Sequence, residues 1–287
     1  MATAIRLSRV TKQFSNGKGI HNVNLHVEGG QIFGFLGPNG AGKTTTIRCI
    51  MDFIRPQAGT VRVFSKSAQD SSSRQQIGYV PSDPQLYPNW TGSDHLSLYE
   101  SIRGKTGLDN TIKRLGLDMS VRFKHLSSGN KQKLALLLAF AGSPKLLIMD
   151  EPTKGLDPLL QQTIYDLLRE FKAAGGTVFL SSHNLPEVEK VCDRVAVIRE
   201  GQIVADQTMG SIREMSIHII SAVTSKPVGS SSLKLEGVTV LHHTGTHLLL
   251  KVKGDLNPIM HVLSGYTLKD LEVNHASLED IFMEYYT

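Results

Sequence analysis

The octapeptide Gly37-Pro-Asn-Gly-Ala-Gly-Lys-Thr44 constrains this chain more than any other feature. It fits G-x-x-x-x-G-K-[ST], a loop that wraps phosphates in nucleotide hydrolases. The apolar run Gln31–Leu36 before it predicts a buried strand, and Thr44–Phe53 after it predicts a helix. That strand–loop–helix context is what gives the pattern meaning; the bland alternative is a chance glycine-rich turn. The glycines let backbone N–H groups curl around an anion, and the helix N-terminus adds partial positive charge. Lys43 is placed to reach the β- and γ-phosphates, and Thr44 to hold a magnesium ion.

The 287 residues suggest one large domain and a small one. A formal charge of +5 is spread without a dense Lys/Arg block, so it does not argue for nucleic acid. Met1–Val10 has no apolar leader core. The longest largely apolar stretch, Leu134–Ala141, is far short of the ~20 residues a membrane helix needs. If the chain serves transport, another chain supplies the pore. Cys49 and Cys192 have no C-x-x-C neighbour and read as packing residues.

Along the chain, Ile5–Leu36 reads as β-rich, with Val61–Phe64 a further short strand. Ser93–Arg103 and Asp109–Leu115 read as helices. From Lys131 onward strands and helices alternate: helix Lys131–Ala141, strand Lys145–Met149, helix Leu159–Ala173, strand Thr177–Leu180, helix Glu187–Cys192, strand Val195–Ile198. That alternation predicts a largely parallel sheet with ligands at strand C-terminal ends. After Ser211–Ser216 the pattern changes. Strands near Ser216–Val223, Val238–His242, His247–Lys253 and Thr267–Val273 predict a small α+β module. Asp255 reads as the cap of a helix to Leu263, and Ser277–Asp280 as a capping box opening a terminal helix to Tyr286.

Two further motifs carry chemistry. Lys145-Leu-Leu-Ile-Met-Asp150-Glu151 is an apolar strand that ends in two acids. Asp150 stands where a carboxylate would bind magnesium, and Glu151 where a general base would polarise a water beside the γ-phosphate. Alone, such a strand is common with solvated acids. Leu126-Ser-Ser-Gly-Asn130 opens an apolar helix. Alone it is a helix cap, but its backbone N–H groups also suit an anion.

Taken in order, these residues resemble the ATP-binding subunits of ABC transporters, over roughly Ile5–Gly210 and more loosely to the C-terminus. The matching strings are GPNGAGKTT, LSSGNKQ, LLIMDEP, GLDP and SSHNLPEVE. The resemblance implies a phosphate-loop α/β cassette, with a mixed sheet, a RecA-like core and a helical subdomain, followed by a small α+β module. It implies residues 1–213 as the ATPase domain, about 84–143 as its helical subdomain, and 214–287 as an accessory domain. Gly37, Pro38, Asn39, Gly40, Ala41, Gly42, Lys43, Thr44 and Thr45 would hold ATP, with Thr44 and Asp150 on magnesium. Glu151 would be the catalytic base, and His183 would hold the γ-phosphate and the attacking water. Ser127 and Gly129 would reach the ATP of a second cassette, with Asp157 at the dimer seam. Phe14 would stack on adenine, where tyrosine is more usual; packing is its other reading.

The same resemblance implies work with a separate transmembrane permease, on the cytoplasmic face of the membrane, in a drug or antibiotic-peptide exporter, and no nucleic-acid partner. The alternatives are a non-transport ABC ATPase acting on nucleic acid or the ribosome, and a regulatory nucleotide binder with weak hydrolysis. Several positions depart from the family pattern. Ser128 and Asn130 alter the signature, Ser82 stands where Gln is common, and Lys154 replaces a small residue. A serine at position 128 would be strained if that site demanded positive φ. Asp83 and Gln85 are the candidates to stand in for the missing Gln.

Overall fold

A computed structural model describes residues 2–105, 107–214 and 217–275. The chain divides into two compact units, Met1–Gln207 and Thr208–Thr287. The strands of the first are β1 (Thr3–Gln13), β2 (Gly19–Glu28), β3 (Ile32–Leu36), β4 (Ala58–Val63), β5 (Lys66–Ser67), β6 (Ile77–Val80), β7 (Leu146–Asp150), β8 (Thr177–Ser182), β9 (Arg194–Arg199) and β10 (Gln202–Thr208). They form two sheets. One is antiparallel, in the order β2-β1-β4-β5; the other has six strands, in the order β10-β9-β3-β8-β7-β6. In the second, β9, β3, β8, β7 and β6 run parallel. The phosphate-loop α/β fold expected from the sequence is therefore present.

Burial explains why the strands read as they do. Every residue of β3, β7 and β8 is buried, which the uninterrupted apolar runs anticipate for strands covered on both faces. Outer strand β2 alternates instead, with Ile20, Val23, Leu25 and Val27 inward. The helix Lys43–Ile50 is enclosed in the same core, with Ile47 and Ile50 packed among residues of both sheets. Burying each of these side chains contributes about 2 kcal/mol. Phe33 and Phe179 stack at 5.8 Å between ring centres across β3 and β8. The start of this helix, where the phosphate loop ends, is thus held by a rigid core.

Within the first unit some elements differ from those expected from the sequence. The helix predicted to Phe53 ends at Ile50, because Asp52 turns to φ +56° and its N–H bonds the Cys49 carbonyl. Strand β6 is an addition that the sequence reading does not contain. Gly78 within it lies against the helix Ser128–Phe140, where a Cβ would come within 2.0 Å of the Ala139 carbonyl oxygen. Between β6 and β7 lie helices Gly92–Arg103, Asp109–Leu115 and Ser128–Phe140. The first opens with a full capping box between Thr91 and Asp94.

The second unit holds an antiparallel sheet in the order β12-β13-β11-β14, with β11 Ile217–Thr224, β12 Val238–Thr244, β13 His247–Lys253 and β14 Leu268–His275. Helix Asn257–Ser264 covers its core through Ile259 and Leu263. The residue at its N-cap is Leu256, not Asp255; the Asp255 carboxylate still accepts the Asn257 N–H at 2.9 Å. The terminal helix expected from Ser277 lies outside the described residues. Among the described residues no helix is long and apolar enough to cross a membrane.

Candidate nucleotide site

Parallel strands β3, β8 and β7 stand side by side, so their C-terminal ends deliver three loops to one place. From β3 comes the phosphate loop, from β7 Asp150 and Glu151, and from β8 Ser182 and His183. The register is direct: Leu36 pairs with Ser182, and Asp150 with Ser181. Gly37 N–H donates to the Ser182 carbonyl at 3.3 Å, and Glu151 N–H to the Ser181 carbonyl at 3.1 Å. These bonds tie the three loops to a common frame.

The loop turns into its helix at Gly42, with φ +115° and a Cβ position only 2.7 Å from Ile20 Cγ2. A side chain there meets both strain and a packed neighbour. Lys43 follows as the first helical residue, and its side chain is buried. Its ammonium donates to the Gly37 carbonyl at 2.7 Å and the Pro38 carbonyl at 3.2 Å, and lies 3.3 Å from Glu151 Oε1. Glu151 has φ +51°, a left-handed conformation that costs a non-glycine residue about 1–2 kcal/mol. The same oxygen meets His183 Nδ1 at 3.2 Å, and Lys154 Nζ stands 3.8 Å from Oε2. Burial pushes the Glu151 carboxyl up, but Lys43 and His183 together outweigh it and hold the group below its ordinary value. It is therefore a carboxylate at neutral pH.

Asp150 is 1% exposed, and both of its oxygens are bonded. Ser181 donates to Oδ1 at 2.6 Å and Thr44 to Oδ2 at 2.8 Å. Thr44 and Asp150, predicted as a pair on one magnesium ion, are thus in direct contact. An open cleft beside them is lined by Phe14, Lys18, Gly40, Lys43, Thr44 and Glu151. Phe14 is 42% exposed at this cleft, with Lys12 Nζ 5.9 Å from its ring centre.

Ser127 and Gly129 do not line the cleft. Ser127 caps the helix Ser128–Phe140, accepting the Asn130 N–H at 3.2 Å. Ser128 is the first helical residue and is not among the residues of positive φ, so the conditional strain does not arise. Asp157 caps the helix Pro158–Ala173 through the Leu160 N–H at 2.9 Å. Neither Asp83 nor Gln85 lines the cleft; Gln85 donates to Asp83 at 2.9 Å instead.

Four further residues of the site have no role assigned from the sequence, although Ser181, Ser182 and Glu187 lie within the string SSHNLPEVE. Ser181 positions Asp150, while Thr153, Ser182 and Glu187 form a buried cluster behind Glu151 and His183. The available signal is the pair of hydroxyls at the end of β8, small polar residues where the strand is otherwise apolar.

This arrangement defines a phosphate-loop nucleotide-hydrolase fold in which Lys43 and Glu151 line the cleft, Asp150 meets Thr44 beside it, and His183 reaches Glu151 from the neighbouring loop. The ABC transporter family model matches residues 20–154. The chain is 30% identical to the bacitracin transport ATP-binding protein BcrA of Bacillus licheniformis, covering 99% of this chain and 97% of that one. It is 32% identical to the Nod factor export ATP-binding protein I of Paraburkholderia xenovorans (strain LB400), covering 98% and 96%. A solved ATP-binding subunit of an ABC transporter superposes with a TM-score of 0.69 at 30% identity, covering 74% of this chain and 92% of that chain. The chain belongs to the ATP-binding subunits of ABC transporters. It is an ABC ATPase, whose hydrolysis of ATP is coupled to transport.

Proposed function

We propose that this chain is the motor subunit of an exporter, closing with a second cassette around two ATP molecules to drive a separate permease. The observation that carries the chemistry is the convergence of Lys43 and His183 on one oxygen of Glu151. With ATP in the cleft, the γ-phosphate competes for Lys43, and its oxygens replace Glu151 and the loop carbonyls around the ammonium. Glu151 then faces the attacking water as a carboxylate and takes its proton. His183, 46% exposed and following the end of β8, steadies that water and the γ-phosphate. Phe14 stacks on the base, and backbone N–H groups of the loop between Asn39 and Thr45 surround the phosphates.

Thr44 and Asp150 fit a magnesium ion. They present a hydroxyl and a carboxylate oxygen, hard donors already 2.8 Å apart at the mouth of the loop. The ion would neutralise charge on the β- and γ-phosphates.

Ser127 and Gly129 sit outside the cleft, so their role falls on the ATP of the opposing cassette. The partner is a homodimer mate or a paired subunit. For the permease, the segment Pro81–Leu86 borders a second, mainly apolar cleft with Tyr79, Tyr99 and Leu138. Tyr87 and Trp90, exposed and 4.5 Å apart between ring centres, extend that surface. Such a surface on the cytoplasmic face of a membrane suits a short helix of the permease. The likeness to an export protein along nearly the full length supports export as the direction.

The test is twofold. Purified protein should release phosphate from ATP, and affinity capture from detergent-treated membranes should bring down a multi-helix protein. Recovery of ribosomal RNA with no membrane protein would overturn the transport reading.

A further inference from the structure

Behind Glu151 and His183 lies a carboxylate with no assigned part in the site. Glu187 stands on the helix Leu185–Val191 and is only 5% exposed. Among the described residues no lysine or arginine pairs with it. Its two oxygens are instead taken by two hydroxyls. Thr153 Oγ1 donates to Oε1, and Ser182 Oγ donates to Oε2 at 2.5 Å. Thr153 is itself buried and lies two residues beyond Glu151; Ser182 is buried and immediately precedes His183. Ser182 also accepts the Asn184 N–H at 2.9 Å, which sets the turn that carries His183.

Removing a carboxylate from water is costly unless its oxygens are bonded. Three buried polar groups joined in this way form a costly arrangement that has to be complete to be tolerated. Here the complete arrangement links two separate loops, one bearing Glu151 and one bearing His183. Those two side chains meet at 3.2 Å. A small change in either loop would separate them, and misplacement by about 1 Å can cost a catalytic pair on the order of 100-fold.

We infer that Glu187 is a positioning residue for ATP hydrolysis, clamping the Thr153 loop to the Ser182–His183 turn so that His183 and Glu151 address the same γ-phosphate. It acts through those two side chains rather than on the nucleotide. The inference rests on the reading of His183 and Glu151 as the residues on the γ-phosphate.

The test is a double-mutant cycle in the full chain, read by single-turnover hydrolysis and by ATP affinity. Glu187→Gln keeps size and one acceptor oxygen but cannot accept both hydroxyls. It should leave ATP affinity within about 3-fold and lower turnover about 10-fold. In a His183→Ala background the same change should cost almost nothing, because the group it positions is gone. Thr153→Val and Ser182→Ala each cut one link and should each reproduce part of the loss, also where Glu187→Gln folds poorly. A loss that adds in full to that of His183→Ala, or wild-type turnover in Glu187→Gln, overturns the clamp alone. Unchanged turnover in His183→Ala itself overturns the reading of the site, and the clamp with it.

Discussion

His183 Nδ1 lies 3.2 Å from Glu151 Oε1, the oxygen that Lys43 Nζ approaches at 3.3 Å. A histidine from the loop after β8 and a lysine from the first turn of a helix thus address a single carboxylate oxygen at the end of β7. Only the adjacency of β3, β8 and β7 in the sheet makes this contact possible. It also keeps Glu151 ionised despite its burial, because the two basic groups outweigh the desolvation that burial imposes.

The Ser181 hydroxyl, bonded to Asp150 at 2.6 Å, holds the carboxylate that faces Thr44. Ser181→Ala should leave one oxygen of a buried carboxylate without its partner and lower stability by about 1–3 kcal/mol. It should also raise the magnesium concentration needed for half-maximal hydrolysis. Thermal melting and a magnesium titration of phosphate release check the two effects separately.

Gly42 combines φ +115° with a Cβ position 2.7 Å from Ile20 Cγ2. Gly42→Ala should therefore distort the start of the helix Lys43–Ile50. ATP binding should weaken by about 2 kcal/mol, which is more than tenfold in affinity. Isothermal titration with ATP measures this directly.

Phe14 is partly exposed at the cleft, so its removal should cost little stability. Stacking on a base is worth about 1–3 kcal/mol. Phe14→Ala should weaken ATP binding by about 5-fold or more while Phe14→Tyr retains it. Equal affinities in all three proteins would assign Phe14 to packing.

Burial raises the Glu187 carboxyl above its ordinary value of 4.5, and the hydroxyls of Ser182 and Thr153 only partly oppose this. A carboxyl raised by folding contributes stability at pH below the unfolded value and loses it as pH rises through the folded value. The melting temperature of the wild type minus that of Glu187→Gln should therefore fall as pH rises from about 4.5 through the raised value. A flat difference across that range would contradict the burial cost.

The phosphate loop, the Asp150-Glu151 strand end and the signature helix are legible in the sequence because each is a contiguous string whose local pattern states its own geometry. The sequence reading makes the helix Lys43–Ile50 too long, since nothing local announces that Asp52 turns to positive φ. Strand β6 escapes it because Gly78 interrupts the apolar run, and the reason for that glycine is a distant helix, at Ala139. The Thr153–Glu187–Ser182 cluster is hidden on the same grounds. Its members belong to separate segments, and the parallel pairing of β7 with β8 brings them together. Asp255 is legible as an acceptor but lies one residue before the cap.

Size-exclusion chromatography of Glu151→Gln, with and without ATP, tests the composite site most directly. Removing the base while keeping the phosphate loop should allow ATP to be bound but not consumed, so ATP should shift this variant to the size of a dimer. The double variant Lys43→Ala, Glu151→Gln should stay a monomer under the same conditions. Wild-type hydrolysis by Glu151→Gln, or a monomer at saturating ATP, would contradict the account.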